Sequence, residues 1–143
     1  MDTDRHGFKH KDITDKIIGV FYEVYNELGH GFLESVYERS LEIALNSLGL
    51  KVCRQIQIPV WFRGKPVGDF TADMLIENCV LLELKAARSL DSSHQAQLLN
   101  YLHATGFELG LLVNFGQYPR LEHERIAKTQ QKTRKIEISD VSF

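Results

Sequence analysis

A chain of 143 residues, 43% hydrophobic and 25% charged, is sized for one soluble domain closed around a single core. No run approaches the ~20 apolar residues of a membrane span, and the segment from Met1 to His10 lacks the apolar stretch of a secretory signal. A formal charge of −2 argues against a dedicated high-affinity DNA-binding domain, which is usually basic, but leaves open an acidic centre that works through a cation.

Residues 12–28 place Ile13, Ile17, Val20, Phe21, Val24 and Leu28 at intervals of three and four, which predicts a helix with one apolar face, stopped by Gly29. A second helix is expected over residues 33–48, with Val36, Tyr37, Leu41, Ala44, Leu45 and Leu48 inward and Gly49 closing it. From Lys51 the period shortens. Val52, Arg54, Ile56, Ile58 and Val60 fall among β-branched neighbours, and Arg63-Gly64-Lys65-Pro66 reads as a turn. A strand over residues 68–76, a turn at Glu77-Asn78 and a strand from Cys79 or Val80 to Lys85 complete an antiparallel meander.

Residues 91–105 return to helix, capped by Asp91 or Ser92, with Ala96, Leu98, Leu99, Leu102 and Tyr101 on the apolar side and Gly106 at the end. The span from Phe107 to Phe115 is nearly all apolar and reads as a buried strand. Residues 121–127 suit a further edge strand. From Lys128 onward Lys132, Arg134 and Lys135 make a basic tail, with a short strand at most around Ile136 and Ile138. The expected organisation is one domain over residues 1–127 and a tail over 128–143. The fold class is α+β, an α/β sandwich in which the strand after the third helix can pair parallel to a meander strand through a right-handed crossover.

Cys53 and Cys79 lie far apart without a CxxC pattern, which fits a reduced, cytoplasmic setting, and the six histidines form no zinc-type constellation. The chemistry concentrates instead at Asp73 and Glu83-Leu84-Lys85. Side chains along a strand alternate faces, so Glu83 and Lys85 point the same way. Paired carboxylates hold a divalent cation and a neighbouring lysine positions a water, a combination suited to phosphodiester hydrolysis. The competing account is a solvated cross-strand ion pair. The hairpin decides between them. A strict two-residue turn at Glu77-Asn78 would set Asp73 against Leu82 and put the two acids on opposite faces. A shared cation requires an odd-length connection, such as Glu77-Asn78-Cys79, or a bulge near Asp73.

Glu34 and Tyr37 share one side of the second helix, and Gln97 and Tyr101 share one side of the third. A first-turn acid beside a core tyrosine is the simpler reading of the former pair, and a solvated glutamine beside a core tyrosine that of the latter.

With these residues laid out, the chain resembles the GxxExxY proteins, a branch of the PD-(D/E)XK nuclease superfamily. The naming motif stands as Gly31-Phe-Leu-Glu34-Ser-Val-Tyr37, the acidic strand as Gly68-Asp-Phe-Thr-Ala-Asp73, and the E-x-K as Glu83-Leu84-Lys85. The Q-x-x-x-Y helix of RecB-like and lambda-exonuclease-like members is similar to Gln97-Leu-Leu-Asn-Tyr101. Their glycine-rich buried strand is similar to Gly110-Leu-Leu-Val-Asn-Phe115-Gly116. Ala72 stands where the superfamily has proline before the first acid. The resemblance spans about residues 12–127.

It implies a restriction-endonuclease-like core, a deoxyribonuclease activity and Mg²⁺ or Mn²⁺ as cofactor. Asp73 and Glu83 would be the metal ligands, joined by the Leu84 carbonyl, with Glu34 serving a second cation. Lys85 would orient the attacking water, and Gln97 and Tyr101 would steady the ligands or touch the phosphate. The implied partner is nucleic acid, namely DNA, with no membrane; a homo-oligomer is compatible with this reading. The alternatives are a catalytically inert, nuclease-like module that binds nucleic acid or a protein partner, and a structural protein whose polar groups are surface ion pairs.

Overall fold

The computed structural model describes residues 10–128, so the basic residues of the tail beyond Lys128 lie outside it. In chain order the elements are α1 (Lys11–Leu28), α2 (Glu34–Ser47), β1 (Val52–Phe62), β2 (Lys65–Ile76), β3 (Val80–Lys85), α3 (Ser92–Thr105), β4 (Leu109–Asn114) and β5 (Glu122–Ala127). The strands form one sheet in the order β1-β2-β3-β4-β5. All neighbours are antiparallel except β3 and β4, which run parallel through α3 as the apolar span before Phe115 predicts. No helix among the described residues is long and apolar enough to cross a membrane.

Two apolar clusters flank the sheet. On one face Ile17, Phe21 and Val24 of α1 and Tyr37, Leu41 and Leu45 of α2 pack on Met74, Ile76, Leu82 and Leu84. On the other, Leu98, Tyr101 and Leu102 of α3 pack on Leu75, Leu81 and Leu112. β4 is buried along its whole length, as a central strand covered on both faces must be. Asp91 caps α3 by accepting the amides of Ser93 at 2.9 Å and His94 at 3.3 Å.

Two local expectations shift. Leu48 is exposed, because α2 ends at Ser47 and Leu48 is its C-cap, outside the helical register that buries Leu41 and Leu45. The turn between β1 and β2 is only Arg63-Gly64, both at positive φ, so Lys65 and Pro66 extend the hairpin rather than bend it. Pro59 and Pro66 are tolerated there because β3 pairs with β2 only at Met74, Leu75 and Ile76, leaving the rest of the hairpin as edges.

The connection from β2 to β3 has odd length. Met74 pairs with Leu82, Leu75 with Leu81 and Ile76 with Val80, so Glu77, Asn78 and Cys79 make the turn. Glu77 and Asn78 both sit in the left-handed region, at φ 54° and 56°. Asp73 and Glu83 therefore occupy matching positions on adjacent strands. A second irregularity lies across from Asp73. The β1–β2 ladder passes from Arg54–Met74 to Ile56–Ala72, and Gln55 between them has φ 55°. Alternation breaks there: Met74 packs with α1 and α2, whereas Ala72, two residues away, packs with α3.

Candidate active site

Beyond Met74 and Leu82 the β2–β3 ladder gives way to side chains. The Asp73 amide donates to Glu83 Oε2 at 3.1 Å, and the Leu84 amide donates to Asp73 Oδ2 at 2.8 Å. Each carboxylate satisfies a strand N–H that has lost its ladder partner. The pair is thereby locked side by side in the hairpin. Glu83 is only 4% exposed, and burial, reinforced by the charge of Asp73, pushes its carboxyl up to about 8. Asp73 is also raised, chiefly by burial and further by the negative charges of Glu38 and Glu34; the Leu84 amide and Lys85 oppose the shift without cancelling it.

Glu34 reaches this region from α2. Gly31, at φ 110°, turns the chain between α1 and α2 in a conformation that favours glycine. Tyr37 clamps the same turn: its hydroxyl donates to the Gly29 carbonyl at 2.6 Å and accepts from the Phe32 amide at 3.3 Å. Its ring stacks on Phe115 at 4.5 Å and 3°. The first residue of α2, Glu34, is then held where its Oε2 accepts the Ala86 amide at 3.3 Å, one residue past β3. Tyr37→Phe is expected to cost about 1 kcal/mol, because the Gly29 carbonyl loses its partner. A urea titration matching wild type would show that the turn is held by other contacts.

Lys85 follows Glu83 on the α3 face, where its ammonium reaches Gln97 Oε1 at 3.4 Å. Tyr101 lies one turn further along α3, its ring stacked on Phe70 at 4.0 Å. Burial, then the charges of Glu83 and Asp73, push its phenol up to about 12, so it stays protonated beside the carboxylates. The end of β3 is fixed from below by Asn114, which is fully buried. Its amide oxygen accepts from Ala87 (2.9 Å) and Gly116 (3.0 Å), and its amide nitrogen donates to the Ala87 carbonyl at 2.9 Å. Gly116 lies so close that a Cβ there would clash with the Ala87 carbonyl.

The structure thus gathers Glu34, Asp73, Glu83, Lys85, Gln97 and Tyr101 at one end of the sheet, linked by hydrogen bonds or mutual electrostatics. It adds one group that residue spacing in the strands does not single out. Glu38 is 7% exposed and accepts Arg54 Nε and Gln55 Nε2, each at 2.9 Å. Its position four residues after Glu34, on the same helix side, is the signal that could have found it.

Among the described residues no group of three or more His, Cys, Asp or Glu side chains is arranged to hold a metal ion. The carboxylate pair nevertheless fits a hard divalent cation in its chemistry. Both donors are oxygens, and burial makes it costly to ionise both carboxyls together, a cost that a cation relieves.

Residues 11–126 match the PD-(D/E)XK nuclease superfamily, and the chain belongs to it. The crystal structure of SSO0001 is similar over 96% of this chain and 68% of that one, with a TM-score of 0.55 and 19% identity, a likeness of fold. An alkaline exonuclease (LHK-Exo) from Laribacter hongkongensis is similar over 76% of this chain and 61% of its own, with a TM-score of 0.45 and 16% identity. No curated protein matches the sequence. The α+β architecture of three helices and a five-stranded mixed sheet is the restriction-endonuclease-like fold that the motifs predict.

Proposed function

We propose that the protein hydrolyses nucleic-acid phosphodiester bonds, with DNA as substrate and Mg²⁺ or Mn²⁺ as cofactor, and that it belongs to the GxxExxY branch of its superfamily. The observation that carries this reading is the convergence of the Asp73 and Glu83 carboxylates in one hairpin, with Lys85 next along the same face. PD-(D/E)XK nucleases generally use divalent metals. In this chain Asp73 and Glu83 would hold the ion, the Leu84 carbonyl would complete the set, and Glu34 would serve a second ion. When bound, the cation polarises a phosphoryl oxygen and offsets the charge that develops at phosphorus.

The remaining work falls to side chains. Lys85, steadied by Gln97, holds the attacking water in line with its ammonium protons and stabilises negative charge near the scissile phosphate. Tyr101 keeps its proton and donates it as a hydrogen bond toward the carboxylates or a phosphate oxygen. Glu38, braced by Arg54 and Gln55, fixes the strand opposite Asp73.

The test is incubation with labelled single- and double-stranded DNA and RNA. Cleavage of DNA is expected with Mn²⁺ or Mg²⁺ and none with chelator. Absence of cleavage in every arm, together with calorimetry that detects no Mn²⁺ binding, would make the protein an inert binding module.

A further inference from the structure

A cavity of about 540 Å³ opens between α1 and the loop that joins β4 to β5, a volume within the range of ligand sites. Tyr22 and Tyr25 are fixed in its wall. The Tyr25 hydroxyl donates to the Gln117 carbonyl at 2.6 Å, and that of Tyr22 lies 3.2 Å from His123 Nε2. Asn26, Gln117 and Arg120 also line the cavity, and none of their side chains has a hydrogen-bond or ion-pair partner among the described residues. The Arg120 guanidinium and the amides of Asn26 and Gln117, set beside two anchored aromatic rings, suit a ligand that is planar, hydrogen-bonding and anionic; the one carboxylate in the lining, Glu122, is already engaged by the Leu90 amide and Asn114 Nδ2.

The position favours a particular ligand. β3 and β4 run parallel and end together, with Lys85 opposite Asn114, so the β4–β5 loop begins at the same end of the sheet as the carboxylate pair. Tyr118 in that loop packs on His30 at 4.8 Å, joining it to the turn that precedes Glu34.

We propose that this cavity is a subsite for one unpaired nucleotide of the substrate strand, at the end of the sheet that carries the carboxylate pair. The base stacks on the exposed Tyr22 ring, a contact that serves any base. The amides of Asn26 and Gln117, each both donor and acceptor, meet the base edge. The Arg120 guanidinium binds the phosphate. A base still paired in a duplex cannot present its edge and face in this way, so the substrate class is single-stranded or frayed DNA. The strand as source rests on the nuclease reading; a free mononucleotide offers the same chemistry.

Binding is measured in EDTA on the full chain, with a short labelled single-stranded DNA, its blunt duplex and AMP. The single strand is expected to bind about tenfold more tightly than the duplex. Tyr22→Ala and Arg120→Ala should each erase most of that difference, and Tyr22→Phe should keep it. Equal affinity for both forms, or alanine variants that bind as wild type does, overturns the subsite. AMP that binds more tightly than the strand, in an Arg120-dependent way, overturns the substrate-strand role in favour of a free-nucleotide site. Mn²⁺-dependent cleavage with unaltered binding in both variants would sink the subsite alone; Arg120-dependent strand binding without cleavage would sink the nuclease reading alone.

Discussion

Glu83→Gln is expected to yield a folded protein whose Mn²⁺-dependent cleavage of DNA is reduced at least about a hundredfold, the scale of losing one preorganised electrostatic group. The substitution keeps the shape of the side chain and an oxygen that can still accept the Asp73 amide, now made at 3.1 Å, so the hairpin is not reshaped. It removes the negative charge with which Glu83 would hold the proposed cation. Wild-type-like cleavage by this variant would remove Glu83 from the mechanism.

The same variant carries a stability signature of opposite sign. The Glu83 carboxyl is raised from its ordinary 4.5 to about 8, by burial first and the charge of Asp73 second. Between those values the folded protein keeps a proton that the unfolded chain has released, so stability falls as pH rises from about 4.5 to about 8. Below 4.5 both states are protonated at this position and the contribution is fully present. Each unit of pH in that window costs at most about 1.4 kcal/mol. In chelator, thermal unfolding of the wild type should therefore move to lower temperature from pH 5 to pH 8. Glu83→Gln should flatten that decline, and Mn²⁺ at pH 8 should reverse it in the wild type only. A wild type in chelator that is equally stable at both pH values would mean that the carboxylate pair is better solvated than its burial implies.

Lys85→Ala is the second large effect. Loss of a group that positions the water and its protons typically costs 10²–10⁴-fold in rate, and a decrease of about that size is expected here. Cation affinity should not fall, because the role proposed for Lys85 is not that of a ligand and its positive charge would oppose a cation beside Glu83. Calorimetry and cleavage read on one preparation separate the two roles. A variant that loses Mn²⁺ binding along with activity would show Lys85 to be structural, holding the end of β3 through Gln97.

Much of this could be read from the chain before any coordinates. The three- and four-residue spacing of Ile17, Phe21 and Val24 marks α1 because a helix turns once in 3.6 residues, and the unbroken apolar run at Leu109–Val113 marks a central strand because only a strand covered on both faces omits polar positions. Asp73, Glu83 and Lys85 stand out because charge within apolar strands requires a reason. The odd-length connection at Glu77-Asn78-Cys79 followed from demanding that two acids share a face.

Other features were decided only by packing. The extra length of the β1–β2 hairpin rests on which strand edges lack neighbours, a property of the assembled sheet. Glu38 became part of the site because α2 lies where Arg54 and Gln55 can bond it, and Gln55 holds a left-handed conformation opposite Asp73 that no local pattern announces. The cavity of Tyr22, Asn26, Gln117 and Arg120 joins residues far apart in sequence. Periodicity and residue chemistry are local and so were written in the chain; proximity between distant segments, and the raised proton affinity of Glu83 that follows from it, exist only once the sheet has closed around them.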